Sequence, residues 1–142
     1  MALIASGYRI VRGAPEVDDY VNLRQRSGLS AKTQEQAAIA VLGGWAACHV
    51  VHEVTGEVVG MGRVIGDGGW YFHIIDMAVL PGHQRRGLGD AVITELLGRV
   101  RADAPPGAYV SLLADVPGRR LYARHGFVET APDSIGMALR TT

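Results

Sequence analysis

Residues Asp76 to Asp90 read DMAVLPGHQRRGLGD, and this stretch decides the fold. It begins inside the run Trp70–Leu80, which is almost continuously apolar, as is typical of a strand covered on both faces. After Pro81 the chain becomes basic and rich in glycine. From Gly87 to Arg101, leucines and valines recur every four residues and predict an amphipathic helix. The stretch is therefore predicted to be a strand, a loop and the start of a helix.

The predicted loop has the chemistry of an anion site. The first N–H groups of a helix lack partners within the helix, and the helix dipole makes that end partly positive. Gly87 and Gly89 allow the backbone to approach a ligand, while Arg85 and Arg86 add positive charge. The sequence favours pyrophosphate binding over an ordinary strand-to-helix turn. It is neither a Walker A loop nor a G-x-G-x-x-G dinucleotide motif.

The rest of the chain predicts a mixed, mostly antiparallel α/β sheet. Further strands are expected at Tyr8–Arg12, Trp45–Val54, Glu57–Ile65 and Tyr109–Ala114. One helix is predicted from Pro15 towards Ser27, a second from the capping box of Thr33 and Gln36 to Leu42, and a short one over Pro117–His125. A terminal hairpin is predicted from Phe127-Val128 and Ile135–Leu139. The predicted order is β-α-α-β-β-β-α-β-α-β-β, with about four helices flanking the sheet.

Length and charge narrow the classes of function. The chain has 142 residues, which predicts a single domain over residues 1–142. Fourteen Lys and Arg residues balance fourteen Asp and Glu residues, which argues against a nucleic-acid-binding surface. Cys48 is the single cysteine, so an intrachain disulfide and a cysteine-based zinc site are excluded.

No segment of the sequence predicts a membrane span or a secretory signal. The longest stretch without strongly polar residues, Ala37–Cys48, is about half of the ~20 residues that a spanning helix needs. The N-terminus lacks a basic region followed by an apolar run. A soluble cytoplasmic protein without membrane partners is the expectation.

Two motifs resemble those of one enzyme family. Val79–Gly89 is similar to the acyl-CoA loop of the Gcn5-related N-acetyltransferases (GNAT superfamily), written [QR]-x-x-G-x-[GA]. Leu121–Phe127 resembles a second signature of that family, L-Y-x-x-x-G-F. The predicted element order also matches the family's fold across nearly the whole chain, so the chain is identified as a GNAT-like protein.

The resemblance implies a cofactor site. The family binds acetyl-CoA as a co-substrate, without a metal. Backbone groups of the strand before the loop pair with the pantetheine arm, here Met77, Ala78 and Val79. Amides of the loop surround the pyrophosphate, here Gln84, Arg85, Arg86, Gly87, Leu88, Gly89 and Asp90. The family commonly has an Asn and an Ala where this chain has Asp115 and Gly118.

The resemblance also implies a reaction, the direct transfer of an acetyl group from CoA to a primary amine. Tyr122 matches the family's tyrosine and is the candidate general acid for the departing thiolate, and the N–H of Val79 is a candidate oxyanion donor. A small-molecule acceptor is expected; a protein or carrier-bound amine is the alternative. A non-catalytic acyl-CoA-binding or regulatory module is a further alternative. The apolar strands are compatible with a homodimer.

The general base is left open by the sequence. Asp76 is a charged residue in an apolar strand, which is consistent either with a base or with a structural carboxylate bonded to its surroundings. His73 points to the opposite face if the strand is regular, so that at most one of the two meets the substrate. A β-bulge would invalidate that argument.

Other conspicuous residues favour structural interpretations. Cys48 is expected to be a small strand hydrophobe rather than a nucleophile, and His83 an exposed loop residue. His49 and His52 alternate along a strand and make a poor metal pair. Gly66–Tyr71 is either an acceptor-lining segment or a plain turn.

Overall fold

The computed structural model describes residues 4–141, which form two compact units. The first unit ends at Leu112 and the second begins at Leu113. A single domain over residues 1–142 stays a prediction. The first unit contains the sheet, its flanking helices and the loop after Pro81. The second contains a short helix and the C-terminal segment.

A five-stranded sheet in the order β1-β2-β3-β4-β5 forms the centre of the first unit. The first four strands pair antiparallel, and β4 pairs parallel with β5. The strands are β1 (Tyr8–Arg12), β2 (Ala46–His52), β3 (Val58–Gly66), β4 (Tyr71–Val79) and β5 (Tyr109–Leu112). The predicted α/β class and mostly antiparallel sheet are confirmed.

Helices cover both faces of this sheet. On one face, α3 (Leu88–Asp103) packs against β2, β3 and β4; on the other, α1 (Val17–Arg26) packs against β3, β4 and α2 (Gln34–Ala40). The Thr33 hydroxyl accepts from the Gln36 amide and the Gln36 side chain accepts from the Thr33 amide, so the predicted capping box is formed.

The second unit contains a 3-10 turn (Val116–Gly118) followed by α4 (Arg119–Arg124). Among the residues described after α4 there is no strand, so the prediction of a terminal hairpin at Phe127-Val128 and Ile135–Leu139 is wrong. Ile135, Met137 and Leu139 alternate as a strand should, but their side chains are exposed. Alternation creates an apolar face without supplying the partner strand that fixes the backbone.

Candidate active site

Strand β4 carries a bulge at its middle. Met61 lies opposite Ala78 and Arg63 opposite Ile75, so Gly62 alone faces the two residues Asp76 and Met77. Asp76 has a φ of 61°, in the left-handed region that residues other than glycine rarely adopt. The extra residue redirects the strand at the point where the sequence predicts cofactor contacts.

Beyond the bulge, β4 has a free edge. Its parallel pairing with β5 runs from Tyr71 opposite Tyr109 to Ile74 opposite Leu112 and ends there. Residues 75–79 therefore have no strand partner on that side among the described residues, although β3 continues to pair with them on the other. Met77, Ala78 and Val79 lie along this free edge, where an extended molecule can add hydrogen bonds to the backbone.

The loop after β4 leads directly to the start of α3. A 3-10 turn over Pro81–His83 follows the strand, and the Gln84 side-chain amide donates to the Val79 carbonyl oxygen at 3.0 Å. Arg85 and Gly87 both have left-handed backbone angles, with φ of 63° and 78°. These turns bring the chain into α3 with the side chains of residues 84–86 exposed.

The N-terminus of α3 is not capped by a side chain. Gly87 is the N-cap residue and has no side chain that could accept from the first amides, and a Cβ at this position would meet no atom within 4 Å. The predicted loop residues therefore lie in one contiguous segment at the start of the 16-residue helix α3. Gln84, Arg85, Arg86 and Gly87 precede the helix, and Leu88, Gly89 and Asp90 are its first residues. The arrangement suits an anionic ligand.

Asp76 is the centre of a buried polar cluster. One carboxylate oxygen, Oδ1, accepts from Arg24 Nη1; the other, Oδ2, accepts from the Tyr20 hydroxyl at 2.7 Å and from Arg63 Nε at 2.8 Å. All four side chains are buried. Burial and the hydrogen bond to Asp76 raise the pKa of Tyr20. Both oxygens of Asp76 are occupied, which favours the structural interpretation over the base.

The same cluster ties both N-terminal helices to the bulge. Arg24 Nε donates to the Ser30 carbonyl oxygen and its Nη2 to the Ser30 hydroxyl, each at 3.0 Å, which anchors the loop between α1 and α2. Arg63 Nη1 donates to the Ala40 carbonyl oxygen at 2.9 Å, at the end of α2. Sequence reasoning singled out Asp76 but missed both arginines, because nothing in their spacing links them to it.

The bulge also changes which face His73 occupies. Directly opposed residues share a face, so His73, opposite Ile65, and Ile75, opposite Arg63, lie on the face that carries Arg63. Asp76 is bonded to Arg63 on this same face. The strand is therefore not regular, and the expectation of opposite faces for His73 and Asp76 is wrong for that reason.

His73 is half-buried and, among the described residues, has one polar partner. Its Nδ1 lies 2.9 Å from the Ser111 hydroxyl, which in turn lies 3.3 Å from the Tyr71 hydroxyl and 3.5 Å from the Phe72 carbonyl oxygen. Burial lowers the pKa of His73 below that of a free histidine. Burial therefore favours the neutral form of the ring.

A second histidine is positioned differently from the prediction. His83 is half-buried rather than exposed, because its Nδ1 lies 2.7 Å from the Tyr8 hydroxyl and its ring lies 4.9 Å from that of His52. Burial and the nearby His52 lower the pKa of His83. These contacts join β1 and β2 to the loop that follows β4.

Tyr122 belongs to the second unit, on α4. Its ring packs against Phe127, with centroids 6.1 Å apart, and against Gly118, where a Cβ would lie 2.8 Å from Tyr122 Cε2. Burial and the negative charge of Asp115 raise the pKa of Tyr122, so its phenol keeps its proton throughout the neutral range. The two departures from the family pattern, Asp115 and Gly118, are thus both neighbours of this tyrosine.

The structure favours structural roles for two further residues. Cys48 is fully buried beneath α3, and burial raises the pKa of its thiol to about 12, which leaves no reactive thiolate. One Asp67 oxygen accepts from the amides of Gly69, Trp70 and Tyr71, and these bonds lower the pKa of Asp67. Gly66–Tyr71 is accordingly held as a turn by its own carboxylate.

Within residues 4–141, no cluster of three or more His, Cys, Asp or Glu side chains is arranged to hold a metal ion. Over the same residues, no helix is long and apolar enough to cross a membrane.

Comparison with known families decides the assignment. The acetyltransferase (GNAT) family matches residues 16–127, which include the bulged strand, the loop and Tyr122. The chain belongs to the GNAT acetyltransferase family.

Solved structures agree with this assignment. A Staphylococcus aureus protein of unknown function, described as a probable acetyltransferase, is 34% identical, with a TM-score of 0.89 over 94% of this chain and 99% of that one. A GNAT family protein from Streptococcus pneumoniae is 24% identical (TM-score 0.76; 94% and 98% covered). Glucosamine-6-phosphate N-acetyltransferase from Arabidopsis thaliana is 20% identical (TM-score 0.70; 95% and 99% covered). The last two show the fold alone. No curated protein sequence matches the chain.

Proposed function

We propose that this acetyltransferase moves an acetyl group from acetyl-CoA to a primary amine of a small molecule. The observation that carries the proposal is the continuous path from the free edge of β4, residues 75–79, through the exposed loop to the uncapped start of α3. The edge offers backbone groups to the amide-containing pantetheine arm. The helix start, with Arg85 and Arg86, offers positive charge to a pyrophosphate.

The reaction follows from direct attack within a complex of both substrates. The neutral amine attacks the thioester carbonyl carbon, the C–S bond breaks, and the thiolate of CoA takes a proton from the Tyr122 hydroxyl. The raised pKa of Tyr122 keeps that proton in place until negative charge develops on sulfur. The N–H of Val79 is proposed to donate to the oxyanion that forms on the carbonyl oxygen.

We assign Asp76 a positioning role in this site. Its carboxylate accepts hydrogen bonds from two buried guanidinium groups and a phenol, and Asp76 is itself the residue of the bulge with left-handed backbone angles. It therefore fixes the strand whose next residues, Met77 to Val79, are proposed to bind the cofactor. A buried carboxylate that already accepts three hydrogen bonds is a poor acceptor for a substrate proton.

A non-catalytic acyl-CoA-binding module is the second candidate. Asp115, where the family commonly has Asn, is the observation that favours it, since a carboxylate cannot donate a hydrogen bond to the cofactor. Tyr122→Phe separates the two functions. An enzyme that uses the phenol loses turnover by about 10² or more while keeping its affinity for CoA. A module binds CoA equally in both forms and releases no thiol from acetyl-CoA in either.

A homodimer is the assembly that we propose. β5 is the last strand of the sheet and has no strand partner on its outer side among the described residues. The same chain contains a strand-patterned segment, Ile135–Leu139, whose apolar side chains are exposed. In a dimer, the strand-patterned segment of one copy would pair with the free edge of β5 in the other copy. The cytoplasmic location stays a prediction.

A further inference from the structure

We propose that His73 takes the proton from the attacking amine, through its Nε2 atom, and that Ser111 holds the ring for this role. The inference rests on the proposed amine acetylation. It assigns to a named side chain the base that sequence reasoning left open between His73 and Asp76.

Position is the first argument. His73 lies opposite Ser111 in the next-to-last pair of the β4–β5 ladder, one residue before the two strands stop pairing at Ile74 and Leu112. The free edge that is proposed to hold the pantetheine arm begins immediately after the pair of Ile74 and Leu112. The side chain of His73 is half-buried, so it is partly desolvated while a ligand can still reach it.

The face of the sheet is the second argument. His73 shares the face of Arg63 and Asp76, and through Arg24 this face is tied to Ser30 in the loop between α1 and α2. The loop between α1 and α2 is thereby held on the face of the sheet that carries His73. The bulge at Asp76 is what brings the histidine and the polar cluster to the same side.

Hydrogen bonding is the third argument. Ser111 has one hydroxyl proton, and its neighbour Phe72 O can only accept. When Ser111 donates to Phe72 O or to the Tyr71 hydroxyl, His73 Nδ1 donates to Ser111 Oγ, and the lone pair lies on Nε2. The same Nδ1–H bond persists in the imidazolium, so no rearrangement is needed when Nε2 gains its proton.

The ionisable groups on the face of the sheet that carries His73 are bonded to one another in one buried cluster. On the same face, β4 contributes Asp76, β3 contributes Arg63, and α1 contributes Tyr20 and Arg24; all four are joined in the buried cluster. Burial is what lowers the pKa of His73, which is therefore neutral and able to accept a proton at pH 7.

The proton and electron balance closes. The amine nitrogen forms the N–C bond as its proton passes to His73 Nε2, the C–S bond breaks, and the CoA sulfur takes the Tyr122 proton. The products are the acetamide and CoA thiol. The imidazolium and the phenolate then return to neutral side chains by exchanging one proton through water.

Turnover against pH is the first arm of the test. Acetyl-CoA and the primary amine that releases CoA thiol fastest from a panel of small amines are used with wild type, His73→Gln, Ser111→Ala and the control His49→Gln. His49 is a half-buried histidine on β2 whose Nδ1 lies 2.8 Å from the Gly13 carbonyl oxygen. We expect His73→Gln to lower kcat by about 10² or more, to abolish the acidic limb of the profile, and to leave acetyl-CoA affinity unchanged.

We expect Ser111→Ala to shift that limb and to lower kcat less, and His49→Gln to behave as wild type. Equal kcat and an unchanged acidic limb in His73→Gln would overturn the inference while leaving the acetyltransferase intact. Absence of acetyl-CoA binding or of thiol release with every amine would instead overturn the proposed function.

Nitrogen NMR of the ring forms the second arm and needs no acceptor. In the acetyl-CoA complex, the Nδ1–H tautomer of His73 with a pKa below 6.5 supports the inference. The Nε2–H tautomer would overturn it, whatever the amine panel shows.

Discussion

At the scale of single residues, Asp76 accounts for the conformation of the bulge. Two arginines and a tyrosine from α1 and β3 converge on one carboxylate, and the backbone at that carboxylate adopts a left-handed conformation. A residue outside its preferred φ region persists only where its surroundings enforce it. Arg24, one of these groups, also holds Ser30, so β4 and the loop between α1 and α2 share one anchor.

Replacing Asp76 tests this role. Asp76→Asn leaves two buried guanidinium groups without a countercharge, and we expect the free energy of unfolding to fall by about 3–5 kcal/mol. Urea denaturation measures the change. The control is Asp103→Asn, which removes the carboxylate of the more exposed Arg99–Asp103 pair and is expected to cost less than about 1 kcal/mol. If Asp76→Asn kept full stability but lost turnover, Asp76 would be the base.

At the scale of elements, α3 packs closely against the sheet because Gly62 of β3 has no side chain. A Cβ on Gly62 of β3 would lie 2.6 Å from Val92 Cγ1, 2.7 Å from Met77 Sδ and 2.9 Å from Leu96 Cδ1. Gly62 is also the residue that faces the bulge. The helix that forms the proposed anion site is thus positioned by close contact at one glycine.

Gly62→Ala is expected to lower the free energy of unfolding by about 1–3 kcal/mol, because the three neighbouring side chains must move apart. Gly98→Ala is the matched control. It lies exposed on α3 and its Cβ meets no atom within 4 Å, so we expect stabilisation of about 0.5–1 kcal/mol. Thermal or urea unfolding of both variants measures the two changes in the free energy of unfolding, which we expect to have opposite signs. An unchanged free energy of unfolding in Gly62→Ala would contradict the close packing.

Elements with a local sequence signal were predicted correctly, and the one that depends on a distant partner was not. Tyr8–Arg12, the capping box at Thr33 and the helix after Gly87 have local signals, in alternation, capping and spacing, and all three are confirmed. The prediction of a hairpin at Ile135–Leu139 rested only on the alternation of apolar and polar residues. It is wrong, because strand pairing depends on a distant partner.

The candidate site shows the same division. The loop and its helix start are one contiguous segment, and their local structure could be predicted from glycines and arginines. The cluster around Asp76 joins residues 13 to 56 positions apart, and the exchange of faces at His73 depends on one inserted residue. Neither leaves a periodic signal in a single sequence.

At the scale of the whole molecule, the C-terminal segment exposes several large apolar side chains. Val128, Ile135, Met137 and Leu139 are each at least 69% exposed, and they fall within a single C-terminal stretch. Several exposed apolar side chains in one short segment are typical of an interaction surface. A second copy is the occupant that we propose for it.

Light scattering after size exclusion tests the assembly. We expect wild type to have twice the 15.1 kDa mass of one chain, and Met137→Asp to shift towards the monomer, because a charge in the strand-patterned segment opposes its burial. Val54→Asp, at an equally exposed valine near the β2–β3 turn, should remain a dimer. A wild-type monomer at every concentration contradicts the proposal.

The central claim is that the free edge of β4 and the start of α3 hold acetyl-CoA. Calorimetric titration of acetyl-CoA tests it most directly, with wild type, Arg85→Ala/Arg86→Ala and the control Arg99→Ala/Arg101→Ala, which removes the same charge from the opposite end of α3. We predict saturable binding by wild type and by the control, and affinity lowered about tenfold or more by loss of Arg85 and Arg86. No binding by wild type, or equal loss in both double variants, would contradict the account.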